Sequence, residues 1–189
     1  MLSSSDLETL RRDGLGEVAT IGAGHAATAL SQLTDRRIMI SVPQVRRLHY
    51  GDVPPMLTAF GDHVAVVTMR MLGDLTGRSM LVFGEADASR LCDLILRRPP
   101  GIPRVLGEME QSGLREVGNI LCSAYLTALS DLMSMMLLPS VPTLTIGPTE
   151  SVIMQTLLPN EDHAELVFCV DTAFRTEETA TPLTGAFLL

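Results

Sequence analysis

The sequence predicts an α+β fold in which long helices pack on an antiparallel β-sheet and a pseudo-two-fold axis relates two duplicated units. The 189-residue chain contains one motif twice, each copy begins in a long helical stretch, and short strands follow each stretch. Consecutive strands joined by tight turns pair in antiparallel fashion, and helices that cover one face of a sheet create a core. We expect a single domain made of two repeats, at about 1–97 and 104–189.

The duplication rests on two sets of four residues with the same spacing. The first motif consists of Asp13, Glu17, Thr20 and Pro43. The second motif, 99 positions further on, consists of Ser112, Glu116, Asn119 and Pro142. Seven more residues between positions 15 and 31 recur at the same offset without a gap. Agreement over so many positions indicates an internal repeat.

In the first repeat, a helix is predicted from the capping residues at 3–6 to about residue 30, because apolar residues follow at helical spacing. Four glycines lower its helix propensity, so we expect another element to approach this helix closely. Proline and glycine turns then separate short apolar runs, and an amphipathic stretch ends the repeat. The predicted strands are 36–42, 56–60, 63–71 and 77–83, and the predicted amphipathic helix is 84–98.

The second repeat follows a short proline-rich seam at 98–103, which is too short to be a flexible tether between domains. Its apolar spacing predicts a second long helix over 106–135. Short apolar runs bounded by turn residues follow this helix. The predicted strands are 143–146, 151–158, 163–171 and 181–189.

Composition excludes several classes of function. A net charge of −8 and a pI near 4.9 argue against a nucleic-acid partner, because phosphate binding needs a basic surface. No apolar run is long enough to cross a bilayer, and the first residues lack the basic and apolar regions of a signal peptide. We therefore expect a cytoplasmic protein that does not insert into a membrane.

Metal and nucleotide cofactors also lack a sequence signature. The three cysteines are far apart and form no C-x-x-C pair, which favours buried free thiols over a disulfide framework or a zinc site. Gly22-Ala-Gly24 has only a superficial likeness to a dinucleotide fingerprint, since helical residues precede it where that fingerprint needs a strand. We expect no metal site and no cofactor of the chain's own.

The strongest candidate for chemistry is the pair Glu116 and Asn119. Residues three apart on a helix share one face, so a carboxylate and an amide would lie side by side. A neutral amide can orient a water molecule with one donor and one acceptor, which suits attack on a phosphoryl group. The neighbouring Gly118 would leave the surroundings of the pair open to close approach. A solvated helix face remains the simpler interpretation. The four scattered histidines and the absence of G-x-S-x-G give no support to a histidine base or a serine hydrolase.

The doubled pattern of Asp or Ser, Glu, Asn and Pro resembles that of the CheC family of chemotaxis phosphatases, which includes CheC, CheX and FliY. The stretches Glu17–Ser31 and Glu116–Ser130 are similar to the two helix motifs of this family, and the resemblance covers essentially the whole chain. It implies a hydrolase of two-component signalling that removes phosphate from the phospho-aspartate of a CheY-like response regulator.

The resemblance also assigns roles to the motif residues. Glu116 would dock the regulator, Asn119 would orient the attacking water, and Ser112 and Pro142 would support that site. The regulator would supply Mg²⁺. In the first motif Asp13, Glu17 and Pro43 match, but Thr20 replaces the asparagine. Since threonine has no amide and a shorter reach, we expect that the second site works and that the Glu17–Thr20 site is degenerate.

Two alternatives stay open. The chain could be a non-catalytic adaptor that binds the phosphorylated regulator or a CheD-like receptor glutamine deamidase, a partner that the resemblance also suggests. Thr20 favours this alternative, and the intact Asn119 opposes it. A purely structural interaction domain is the third interpretation, and it requires both motifs to serve packing alone.

Overall fold

The computed structural model describes residues 4–99, 105–157, 166–176 and 182–189. Within these ranges the longest elements are two helices, α1 (Ser4–Thr34) and α4 (Glu108–Met133). The remaining helices are α2 (Val53–Thr58), α3 (Glu85–Ile95) and α5 (Thr149–Thr156), with a 3₁₀ turn at Tyr50–Asp52. The strands are β1 (Ile38–Ile40), β2 (Gln44–His49), β3 (His63–Gly73), β4 (Gly77–Gly84), β5 (Leu137–Pro139), β6 (Thr143–Pro148), β7 (Leu166–Thr176) and β8 (Leu183–Leu188).

The eight strands form one antiparallel sheet whose strand order is nearly symmetric. The order is β1-β7-β8-β4-β3-β5, with β2 also beside β7 and β6 also beside β3. The pair β4 and β8 lies at the centre, where Leu81 is opposite Phe187. Each half of the sheet therefore consists of one long strand, one central strand and two short strands from the other repeat.

The backbone repeats its details between the halves at the 99-residue offset. Strands β1 and β5 cover equivalent positions, and so do β2 and β6. The amide of Ser41 donates to the carbonyl of Ala173 at 2.9 Å, and the equivalent amide of Ser140 donates to the carbonyl of Arg70 at 2.8 Å. Asp35 and Ser134, one after each long helix, both have a left-handed φ near 55°. The predicted α+β fold with a duplicated unit is confirmed, whereas the division at 97 and 104 into repeats of one domain stays a prediction.

Helices cover both faces of the sheet. The larger core lies between the sheet and α1, α3 and α4, as predicted for the long helices. A second core lies between the opposite face and α2 and α5. Strand β3 serves both, since Ala65 and Val67 belong to the first core and Val64 and Val66 to the second. The long helices thus share one face, as expected, whereas the short helices α2 and α5 on the opposite face were not predicted.

The predicted strands 56–60 and 151–158 are also wrong, because those residues lie largely in helices α2 and α5. Prolines 54 and 55 occupy the start of α2. Proline is tolerated there because backbone N–H groups in the first turn have no hydrogen-bond partner within the helix. Helix α5 is attached to the segment between α2 and β3, since the Thr149 hydroxyl donates to the Gly61 carbonyl at 2.6 Å. The predicted seam at 98–103 lies partly outside the described residues, as does the beginning of the predicted strand 163–171.

The long helices pack closely on each other, as the glycines of α1 led us to expect. A Cβ atom added to Gly22 would lie 2.5 Å from the Tyr125 ring of α4, so only glycine fits that contact. The Tyr125 ring in turn stacks on Phe187 of β8, with ring centroids 4.8 Å apart. Gly14, Gly16 and Gly24 have no such neighbour. The close approach of the two helices therefore depends on Gly22 alone among these four.

Candidate functional site

Glu116 and Asn119 lie on the same exposed side of α4, one turn apart. The Glu116 side chain is exposed and the Asn119 side chain is half-buried. Among the described residues, neither side chain has a hydrogen bond or an ion pair within the protein. Ser112, one turn earlier on this side, is exposed as well. The carboxylate and the amide are therefore available to an external molecule.

The opposite side of α4 fixes the position of this pair. Residues such as Leu114, Val117, Leu121 and Leu129 are buried in the larger core at helical spacing. The helix begins after Gly107 and ends before Ser134, whose left-handed backbone closes the last turn. A helix held along most of its length presents its exposed residues on a rigid scaffold.

The N-terminal end of α4 is further held by an ion pair. Arg98 donates to the Glu110 carboxylate, and both side chains are largely shielded from solvent. This hydrogen bond holds the pKa of Glu110 below its ordinary value. Nearby, burial raises the pKa of the Cys92 thiol to about 12. The ion pair therefore connects the segment that follows α3 to the first turn of α4.

Gly118 has a different role from the expected one. The sequence suggested that this glycine leaves the surroundings of Asn119 open to close approach. In the structure Gly118 is buried, and an added Cβ would lie 2.4 Å from Cγ1 of Val67 on β3. The glycine therefore lets α4 approach the sheet, and that expectation is wrong.

The first motif occupies an equivalent exposed side of α1. Asp13, Glu17 and Thr20 are all exposed. The Thr20 hydroxyl donates to the Gly16 carbonyl of its own helix at 2.8 Å, a common arrangement for threonine within a helix. The hydroxyl proton of Thr20 is thus already donated to a backbone carbonyl, whereas the side-chain amide of Asn119 has no partner among the described residues.

The prolines of both motifs lie in turns between short strands. Pro43 is buried and separates β1 from β2, and Pro142 is half-buried and separates β5 from β6. The residues before them, Val42 and Val141, are among the most exposed apolar side chains. Each motif therefore comprises one helix face and one turn at an end of the sheet.

Arg115 is a residue near this pair that the repeat pattern did not reveal. It directly precedes Glu116 and is half-buried, and its counterpart at the 99-residue offset is Gly16. A search for repeated residues overlooks it because the two copies differ there. Attention to charge would have found it, because α4 contains no other arginine or lysine.

The described part of the chain offers no metal centre. Within it, no group of three or more His, Cys, Asp or Glu side chains is placed to hold a metal ion. Cys92, Cys122 and Cys169 are free and buried, as predicted. No helix of the described residues is long and apolar enough to cross a membrane.

Comparison with known proteins gives consistent matches. The model of the CheC-like family matches residues 11–47 and 109–146, two stretches that contain both motifs completely. The CheY-P phosphatase CheC of Bacillus subtilis is 36% identical over 163 residues, which are 85% of this chain and 78% of that protein. The flagellar motor switch phosphatase FliY of Bacillus subtilis is 28% identical over 130 residues, which are 68% of this chain and 34% of that protein.

Solved structures share the fold at lower sequence identity. FliY of Thermotoga maritima superposes with a TM-score of 0.79 at 23% identity, covering 100% of this chain and 91% of that one. A chain of the FliG–FliM complex of H. pylori has a TM-score of 0.67 at 14% identity, covering 99% and 93%. The chemotaxis protein CheX of Desulfovibrio desulfuricans has a TM-score of 0.55 at 18% identity, covering 92% and 99%.

Proposed function

The chain belongs to the CheC-like family, and we propose on this premise that it hydrolyses the phospho-aspartate of a CheY-like response regulator. The observation that carries the proposal is the similarity over most of the chain to a CheY-P phosphatase. The exposed Glu116 and the half-buried Asn119, neither bonded to another described side chain, agree with it. A cytoplasmic location, where such a regulator would be met, is part of the proposal.

Asn119 orients the attacking water in this proposal. Its amide can accept one hydrogen bond from the water and donate another, and it does not compete as a base or a nucleophile. Phosphoryl transfer needs mainly positioning and charge stabilisation, because little covalent chemistry falls to the protein. The rigid α4 would hold the amide in place while the regulator supplies the Mg²⁺ and the phosphoryl group.

Glu116 docks the regulator. An exposed carboxylate can accept a charge-assisted hydrogen bond from a cationic side chain of the partner. It lies three residues before Asn119 on the same helix side, so the docking contact and the water would be side by side. Loss of Glu116 should therefore raise the KM more than it lowers the kcat.

The first site is degenerate in this proposal. Glu17 keeps the docking carboxylate, but the Thr20 hydroxyl is bonded to the Gly16 carbonyl and offers no amide to a water. The same observation favours a second candidate function, an adaptor that binds the phosphorylated regulator or a CheD-like deamidase without hydrolysis. The adaptor would have to leave Asn119 unused.

The experiment compares phosphate release by wild type with that of Asn119→Ala and Glu116→Ala. The substrate is a CheY-like regulator phosphorylated by a small-molecule donor in the presence of Mg²⁺. Thr127→Ala is the matched control, because Thr127 is an exposed polar residue on the same helix. We expect Asn119→Ala to lower the kcat by about 100-fold or more, as does the loss of one preorganised polar group. An unchanged kcat in a folded Asn119→Ala variant would reject the assignment.

A further inference from the structure

We propose that Arg115 binds the phosphoryl group of the regulator next to Asn119, an inference that rests on the proposed function. Arg115 is the sole cation of α4. Among the described residues, its guanidinium has no hydrogen bond or ion pair. A half-buried arginine without a partner in the fold has donors left for an external anion.

The helix places Arg115 within reach of the proposed chemistry. Arg115 and Asn119 are four residues apart, which on a helix brings their Cβ atoms to about 5–6 Å from each other. The arginine side chain is long enough to extend beyond an asparagine at that separation. Glu116 is the next residue, so its side chain points in a direction about 100° away. The guanidinium and the amide can therefore address the same phosphoryl group while Glu116 contacts another part of the partner.

The exposed side of α4 is acidic, so a bound phosphoryl group would need a cation to offset repulsion. The chain has a net charge of −8, and the exposed charged residues of α4 are all acidic. They are Glu108, Glu116 and Asp131. A phospho-aspartate brings further negative charge, which this acidic surface would repel. A guanidinium offsets that repulsion and can donate two parallel hydrogen bonds to phosphoryl oxygens. Charge also spreads over these oxygens in the transition state, where a cation stabilises it.

The two halves of the molecule differ in a way that separates docking from chemistry. Glutamate is present in both motifs, at Glu17 and Glu116. In the first half, Gly16 replaces the arginine and Thr20 replaces the asparagine, and these two residues are bonded to each other. The groups that would contact the phosphoryl oxygens and the water are thus absent together from the half that keeps the docking carboxylate.

The test uses Arg115→Gln and Arg115→Lys in the full chain, with Arg175→Gln as the control. Arg175 is an exposed arginine on β7, opposite Met39 of the edge strand β1, so its loss changes the net charge equally outside α4. Two quantities are measured: kcat/KM for phosphate release, and the Kd for a regulator with and without beryllofluoride bound in its phosphorylation site. Thermal unfolding confirms that each variant is folded.

We expect Arg115→Gln to lower kcat/KM at least tenfold, which is about the effect of losing one hydrogen bond to a charged group. The kcat/KM of Arg115→Lys should lie between those of Arg115→Gln and wild type, because lysine keeps the charge but cannot donate two parallel hydrogen bonds. Binding of the unmodified regulator and the activity of Arg175→Gln should stay unchanged. Wild-type activity in Arg115→Gln would overturn the inference. If wild type itself releases no phosphate, the proposed function fails. The Kd values then test the role of Arg115 in phosphoryl binding. An Arg115→Gln variant that prefers the beryllofluoride-bound regulator as strongly as wild type does would overturn the inference.

Discussion

Replacement of Gly118 by alanine tests the contact that positions α4 on the sheet. The new Cβ would lie 2.4 Å from Cγ1, 3.0 Å from Cβ and 3.3 Å from Cγ2 of Val67. Val67 is 2% exposed, and the rotation of its branched side chain is restricted, so it cannot move aside easily. The helix itself would have to shift away from β3.

The size of the effect follows from two opposing terms. Overpacking a core by one methyl group costs about 1–3 kcal/mol, and three close contacts place this case near the upper value. Alanine in place of glycine within a helix restores about 1 kcal/mol. We expect the free energy of unfolding to fall by about 2 kcal/mol. Gly24→Ala, on the exposed side of α1 with nothing within 4 Å, should instead gain about 1 kcal/mol.

Urea or guanidinium unfolding measures both variants, and an unchanged m value shows that the unfolding transition stays comparable. Val67→Ala combined with Gly118→Ala should show a coupling energy that offsets much of the loss, because the clashing methyl groups are gone. A Gly118→Ala protein as stable as Gly24→Ala would refute the close approach of α4 to the sheet.

Further predictions concern the first site, the thiols and the α3–α4 junction. Thr20→Asn in an Asn119→Ala background should restore phosphate release to a measurable rate well below that of wild type. A rate equal to that of Asn119→Ala alone would show that the first site lacks more than an amide. All three thiols should resist brief alkylation of the native protein, because burial raises the pKa of each; label found by mass spectrometry before unfolding would contradict this. The thiols are Cys92, Cys122 and Cys169. The lowered pKa of Glu110 means that its pair with Arg98 stabilises the fold above about pH 4, the ordinary glutamate value, and that this contribution is lost as the pH falls further. Unfolding of Arg98→Gln should therefore depend less on pH in the acid range than that of wild type.

The duplication and the long helices could be predicted because they depend on local pattern. The 99-residue offset persists through α1, β1 and β2 and their counterparts α4, β5 and β6, so a gapless comparison finds it. The offset changes before β7, since nine residues separate α5 from β7 and only four separate α2 from β3. Beyond that point a comparison at the fixed 99-residue offset loses the repeat, although the strand pairings keep it.

The short helices α2 and α5 could not be predicted by the same means. A short apolar run has no periodicity that distinguishes a strand from a buried helix. The structure forms helices there because the second face of the sheet needs cover, and Val53, Leu57 and Val152 supply it. This is a tertiary requirement that no window of sequence contains.

Some features of the candidate site could likewise be predicted from the sequence, and others could not. The common side of Glu116 and Asn119 follows from helical spacing alone. The engaged hydroxyl of Thr20 and the direction of Gly118 depend on actual backbone positions, so only the structure reveals them. Arg115 and Asn119 are four residues apart on α4, as Gly16 and Thr20 are on α1, so their common side also follows from helical spacing.

The measurement that tests the central claim most directly is phosphate release with the protein at a small fraction of the concentration of phosphorylated regulator. A phosphatase must turn over, so the account predicts release of many phosphates per chain, faster than the regulator's own decay. An adaptor can only bind. Saturable binding to the phosphorylated regulator, with phosphate release no faster than in its absence, would contradict the account.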